Sequence, residues 1–385
     1  MSRWIKSMAP RSATEPHRVS TPLELFFDLV FVVAVNFAAS ALHHDISEDH
    51  IRHGILSFIP VFFAIWIAWL NFTWFASAYD VDDVPYRIMV LIQMTGALVL
   101  AAGIPRAFAE QDLKIVVAGY VIMRLALVGQ WVRAGYSDPE RRPTALRYAI
   151  GVTLLQAGWI WFGFVKESFS WKVFGVLAAL ELFVPIWAER KAPTTWHPHH
   201  IAERYGLFTI IVLGEAVLGT AIAIQSVVDT RTFDGERAAI AVGSIVSLYM
   251  LWWIYFDYDA HEILTRLRNT FAWGYGHVFL WGGIAATGAG IAVCIDYATG
   301  HSSLTQTQAQ LAMAIPLAVF LVSLWAFHDL TEALSSLRRL ATPIAALLVV
   351  GTAWFPYAPV WMAFVLIVLA IVREFGHEHA KATAH

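Results

Sequence analysis

Residues 22–42 read PLELFFDLVFVVAVNFAASAL. About twenty apolar positions in a row are what an α-helix needs to cross a hydrocarbon core. The preceding residues 1–21 are polar and carry Arg3, Lys6, Arg11 and Arg18. The run is longer than the roughly 7–15-residue centre of a secretory signal, so it predicts a retained first span. Two acids, Glu24 and Asp28, interrupt it. Charge inside a bilayer costs roughly 2.5–3.5 kcal/mol on insertion scales, so their presence needs a reason.

The rest of the chain repeats this pattern. Of 385 residues, 58% are hydrophobic and 14% charged, against soluble norms of roughly 45–50% and 25%. The mean hydropathy is +0.60. A soluble domain this apolar could not cover its own surface with polar groups. Stretches near 22–42, 56–78, 86–105, 114–132, 145–165, 171–188, 203–225, 238–257, 270–294, 309–328, 340–353 and 355–373 each suit a span, the eleventh being short. With the N-terminus in the cytoplasm, eighteen of the 26 lysines and arginines fall on that side and seven on the other, Arg124 lying within a span. That bias follows the positive-inside rule and puts both termini in the cytoplasm of a plasma membrane.

The two halves look alike. Residues 66–75 (WIAWLNFTWF) pair with 249–258 (YMLWWIYFDY), and 144–164 with 336–357. The first span of each half holds an acid, Asp28 and Glu215. Six spans per copy is an even number, so the copies share one orientation, an arrangement found in transporters that bind solutes between repeats. The fold expected is an all-α integral membrane protein of about twelve transmembrane helices in two parallel six-helix repeats. Its segments are a tail at 1–21, a first repeat at 22–190, a linker at 191–202, a second repeat at 203–376 and a tail at 377–385.

The block TPLELFFDLVFVVA (21–34) resembles the opening signature of the bacterial low temperature requirement protein A family. RYGLFTIIVLGEAVLG (204–219) resembles its second signature, and the similarity runs over about residues 17–376. The resemblance implies a multi-pass membrane protein with a role in growth in the cold. A fainter similarity is to two-repeat endolysosomal potassium channels, through Arg204-x-x-x-Phe208, although Thr209 and Ile210 follow where those channels carry Ser-Asp.

Glu24 and Asp28 are four apart and share a helix face, so one is protonated or a cation lies near. Arg204 and Glu215 are eleven apart, on one face but separated by about 16 Å of rise; each needs another partner. Arg124 stays protonated and needs a carboxylate, with Glu181 the nearest unassigned acid by depth. Gln93, Gln156 and His277 add polar groups inside spans. Glu24, Asp28, Gln93, Arg124, Glu181, Arg204, Glu215 and His277 form the expected transport pathway, with Asp28 and Glu215 foremost. Arg124 and Glu181 equally suit a structural lock between helices.

Three other features read as structural. The outer loop from His43 to His53 suits a solvated acidic loop better than a metal site, and His197–His200 a proline-broken hinge between the halves. The acids Asp80, Asp82, Asp83, Asp257, Asp259 and Glu262 could attract cations but better suit solvated faces. Gly282, Ala286 and Gly290 suit a close helix contact. The lone Cys294 excludes a disulfide framework, a cysteine zinc site and an iron–sulfur cluster. A net charge of −3 offers no basic stripe for nucleic acid. No nucleophile elbow, phosphate loop or H-E-x-x-H occurs. The reading is a non-enzymatic, cofactor-free and metal-free protein in contact with the lipid bilayer, passing an unknown small solute or ion with proton or ion coupling. The alternative is a non-transporting protein supporting the envelope, or an intramembrane enzyme acting on lipid.

Overall fold

The computed structural model describes every residue except 1–3, 17, 166–168, 230–233, 258–259, 267–269, 331–335 and 383–385, with side chains at 262, 266, 336–338 and 375–382 also left aside. The described residues form thirteen α-helices and no strand. The first seven are α1 Pro22–Ser47, α2 Ile51–Tyr79, α3 Val84–Ala109, α4 Lys114–Ser137, α5 Arg142–Ile160, α6 Trp171–Ala188 and α7 Pro198–Val228. The rest are α8 Gly235–Phe256, α9 Ala260–Arg266, α10 Thr270–Ala298, α11 Gln306–Leu324, α12 Ser336–Thr352 and α13 Ala358–Ala382. One π turn extends α5 (Trp161–Val165) and another extends α11 (Trp325–Asp329).

Each of the twelve stretches expected to span falls mainly on one helix. Among the described residues, ten helices are long and apolar enough to cross a membrane: α1 to α8, α10 and α11. The apolar part of α12, Arg339–Thr352, is shorter, as its sequence led one to expect. The short α9 was not foreseen; its sequence, AHEILTR, sits in a segment read as a solvated acidic cluster. The linker is shorter than expected, because α7 already starts at Pro198. Residues 377–382 continue α13, and the remainder of that expected tail lies outside the described residues.

The helix starts follow local chemistry. The carboxylate of Asp83 accepts the backbone N–H of Tyr86 and caps α3, with a proline in its first turn. Asp234 caps α8 by accepting from Glu236 and Arg237. Thr305 and Gln308 form a reciprocal capping box at the start of α11.

The chain divides into two compact units: unit 1 comprises 1–38 and 57–205, and unit 2 comprises 39–56 and 206–385. Helices α1 and α7 each contribute to both. In unit 1, α3 packs on α4 with their backbones nearly touching: a Cβ added at Gly119 would strike the backbone of Gly96 and Leu100, and one at Gly103 would strike Val116. Indole and phenol rings then seal α4 to α5, where Trp131 stacks on Tyr148 at 4.1 Å between centroids. In unit 2, α10 packs on α11 through Gly276, Gly283 and Gly290, whose added Cβ atoms would meet Phe327, Phe320 and Ala312. This spacing corrects the expected stripe. Gly282 and Ala286 are only half-buried, and the contact runs every seven residues rather than every four, keeping one face toward a nearly antiparallel neighbour.

Candidate functional site

In unit 1 the first signature meets the start of α7. Glu24 and Asp28 lie one turn apart on α1, so both face the same neighbours. The guanidinium of Arg204 bridges them, with Nη1 3.1 Å from Glu24 Oε1 and Nη2 2.5 Å from Asp28 Oδ1. The indole of Trp69, on α2, donates to the same Asp28 oxygen at 2.7 Å, while Arg204 lies over its ring at 5.9 Å. Thr73 stands 3.4 Å from Arg204 Nη2. Glu24 also accepts from the backbone and hydroxyl of Thr21 at 2.8 and 2.9 Å, and His200 Nε2 stands 3.1 Å away. Glu24, Asp28, His200 and Arg204 are all sealed from solvent, each at 0% exposure. The sequence leaves Arg204 without a named partner; the structure supplies two.

Two further residues join this cluster, Arg18 from the polar tail and Asp80 from the acids read as a solvated face. Arg18 is buried, with Nη2 3.9 Å from Glu24 and 3.7 Å from Asp80. Asp80 is buried too, in the turn after α2. Arg11, which already pairs with Glu15 at 2.5 Å, stands 3.9 Å from Asp80. The expected solvated acidic face is therefore confined to Asp82, which is exposed and pairs with Arg87 at 2.6 Å. Asp83 is buried beneath Arg133, whose charge-assisted hydrogen bonds hold its carboxylate below the usual range against the opposing effect of burial. Among the described residues, the buried phenol of Tyr86, on α3, has no hydrogen-bond partner, and neither does Asp28 Oδ2.

Burial and the nearby Glu24 charge push the Asp80 carboxyl up to about 6, against the pull of Arg18 and Arg11. An unfolded chain releases that proton near the ordinary 3.8. The folded state thus binds protons more tightly, and the Asp80 contribution is largest below pH 4 and is lost as pH rises through 6. Thermal melts in detergent should show the midpoint falling between pH 4 and 7, and Asp80→Asn should flatten that fall. An equally steep fall in the variant would remove Asp80 as its cause.

A second buried group joins α4 to α6. Arg124 Nη2 lies 2.7 Å from Glu181 Oε2. The other Glu181 oxygen accepts from Tyr120 at 2.8 Å and from the indole of Trp159 at 3.0 Å. Gln93 donates to Gln130 at 2.8 Å, and Gln156 donates to the Val152 carbonyl at 3.4 Å.

In unit 2, Glu215 is buried on α7, and its backbone closely faces Gly288 of α10. His277 is buried between the Trp273 carbonyl at 2.9 Å and the Tyr255 hydroxyl at 3.2 Å, with His328 5.3 Å away between ring centroids. A charged group unmarked in the sequence lies here. Arg373 of α13 meets Asp329, at the end of the π turn, at 2.9 Å and Asp257 at 3.0 Å. Thr342 donates to Asp329 at 2.6 Å. Asp259 lies outside the described residues, as does the side chain of Glu262. The outer histidines pair with acids, His43 with Asp296 at 2.7 Å and His53 with Asp45 at 2.8 Å. Among the described residues no three metal-ligating side chains gather.

Of the eight pathway candidates, the structure brings Glu24, Asp28 and Arg204 into one group and Arg124 and Glu181 into another. Gln93 and His277 hydrogen-bond elsewhere, and Glu215 belongs to unit 2. Sequence reasoning missed His200, Arg18 and Asp80 as members of the first group. The one available signal was their closeness in sequence to the span ends at Pro22, Tyr79 and Pro198.

Comparison with known proteins gives the same outline as the signatures. The chain is 28% identical over 309 residues to the uncharacterized protein RA0937 of Rhizobium meliloti (strain 1021), covering 75% of this chain and 71% of that one. Residues 19–373 match the family described as bacterial low temperature requirement A protein. That span takes in both signatures and α1 through most of α13, so this multi-pass membrane protein belongs to the bacterial low temperature requirement A family.

Proposed function

We propose that the protein is a proton- or cation-coupled pathway for a small solute or ion in the bacterial plasma membrane, with both termini cytoplasmic. One observation carries this reading: the sealed charges of this cluster do not balance. Glu24, Asp28 and Asp80 face Arg18 and Arg204, three carboxylates against two guanidiniums, while Arg11, 3.9 Å from Asp80, is already paired with Glu15 at 2.5 Å. An uncompensated buried charge is costly enough that the group takes up a proton or a cation instead. His200, Asp28 and Asp80 are the groups able to hold that proton. A site that must bind one positive charge, and can exchange it, is what coupling requires.

Two further observations support a repeat of six helices. Glycines bring the third helix against the fourth in both halves, α3 on α4 and α10 on α11. A buried ion pair ties fourth to sixth in both, Arg124 to Glu181 and, with the charges exchanged, Asp329 to Arg373. The balanced Arg124–Glu181 group, with three donors on one carboxylate, is read as a structural lock. It is also the observation favouring the alternative of a non-transporting envelope protein.

The test is reconstitution into vesicles with an imposed pH gradient and a pH-sensitive dye, in a screen of cations and small solutes. The proposal predicts dissipation of the gradient beyond that of protein-free vesicles. Gradients that persist with every solute would overturn it. Glu215→Gln is expected to abolish this flux while leaving the melting temperature unchanged; undiminished flux would remove Glu215 from the mechanism.

A further inference from the structure

The described residues before α1, 4–16 and 18–21, carry no helix, yet contacts fix them at several points. Met8 is buried at 0% exposure. The Lys6 N–H donates to Asp83 at 2.8 Å, and the Lys6 carbonyl accepts from Arg133 at 2.8 Å. The Arg11 N–H donates to the Ala78 carbonyl at 2.8 Å. His197 Nε2 lies 3.0 Å from the Glu15 carbonyl, and the Ser20 N–H donates to Glu203 at 3.1 Å. The described part of the expected tail is thus strapped across the ends of α2, α3, α4 and α7, all within unit 1.

Arg18 ends this strap inside the charge cluster. Its hold is weak by comparison with Arg204. It stands 3.9 and 3.7 Å from its two carboxylates and 3.3 Å from the Ala76 carbonyl, and its Nε has no partner. Arg204, fixed in a helix, makes contacts of 2.5 and 3.1 Å with its acids. Coulomb attraction falls with distance, and holding a long side chain from an irregular segment costs side-chain entropy. Arg18 is the replaceable charge.

We propose that the described residues 4–16 and 18–21 form an autoinhibitory strap, with Arg18 as a tethered cation occupying the place a free monovalent cation or proton takes when the strap lifts. Without Arg18, Glu24, Asp28 and Asp80 face Arg204 alone, and the deficit grows from one positive charge to two. The strap and the free cation therefore compete for the same carboxylates, Glu24 and Asp80. The inference rests on reading this cluster as a cation or proton site.

The test uses the full chain with Cys294→Ser, which removes the buried native thiol, and Met8→Cys as the reporter. The rate of maleimide labelling at position 8 is measured in detergent. With Arg18 present, labelling is expected to be slow in N-methyl-D-glucamine chloride and to rise about tenfold in potassium chloride of equal ionic strength or at lower pH. A rise with potassium assigns the competitor as an alkali cation, and a rise with acid alone assigns it as the proton. No rise under either condition overturns the proposal. Arg18→Gln should label fast under all conditions, and Arg18→Lys should restore part of the protection; slow labelling of a folded Arg18→Gln also overturns it. Labelling is read without flux, so vesicles that pass nothing would count against the transport reading while a cation-dependent strap still stood.

Discussion

Arg124→Leu is expected to cut the yield of folded protein sharply and to destabilise what remains by about 3–5 kcal/mol, the usual cost of breaking a buried pair by removing one partner. Glu181 keeps its hydrogen bonds from Tyr120 and Trp159, but loses its paired guanidinium at 2.7 Å. The group sits between α4 and α6, so the loss loosens the packing of unit 1 rather than a surface. The double variant Arg124→Leu with Glu181→Gln should recover most of the stability, because glutamine still accepts from the phenol and the indole and leaves no charge to compensate. Fluorescence-detected size-exclusion profiles and melting temperatures check both. A normal melt for the single variant would show that the pair is not a lock.

Arg204→Leu should have a larger effect still. It strips the one guanidinium that touches both Glu24 and Asp28 and raises the charge deficit from one to two, leaving Arg18 at 3.9 Å and His200 at 3.1 Å from Glu24. Loss of folded protein is expected, exceeding about 3–5 kcal/mol. Adding Asp28→Asn to Arg204→Leu returns the deficit to one and should restore measurable folded yield. If the double variant is no better than the single one, charge balance does not govern this site.

Much of the fold was legible because hydrophobic length is a local property. Every expected span could be read from one stretch of sequence, and the short α12 was flagged by its own composition. The glycine contact was read at the wrong spacing, since which face of α10 meets α11 depends on the partner helix. Within the site, Glu24 and Asp28 announced themselves as charges in an apolar run. The choice of Glu181 for Arg124 came from depth alone, and the structure makes that pair. Arg204 with Asp28 spans 176 positions, and nothing local names that partner. Arg18, Asp80 and His200 looked like ordinary loop charges because burial after a span end is decided by the strap that folds over them. Arg373 and Asp329 were missed because each lies at the end of an expected span, where charge is unremarkable.

The central claim is that the excess carboxylate in unit 1 holds an exchangeable positive charge. Asp28→Asn tests it most directly, since the remaining Glu24 and Asp80 then balance Arg18 and Arg204. The decisive measurement is gradient-driven proton or cation flux in vesicles holding equal amounts of wild type and Asp28→Asn, alongside their melting temperatures. The account predicts that the variant melts at or above the wild-type temperature and passes no coupled flux. A variant that folds equally well and carries wild-type flux would contradict it.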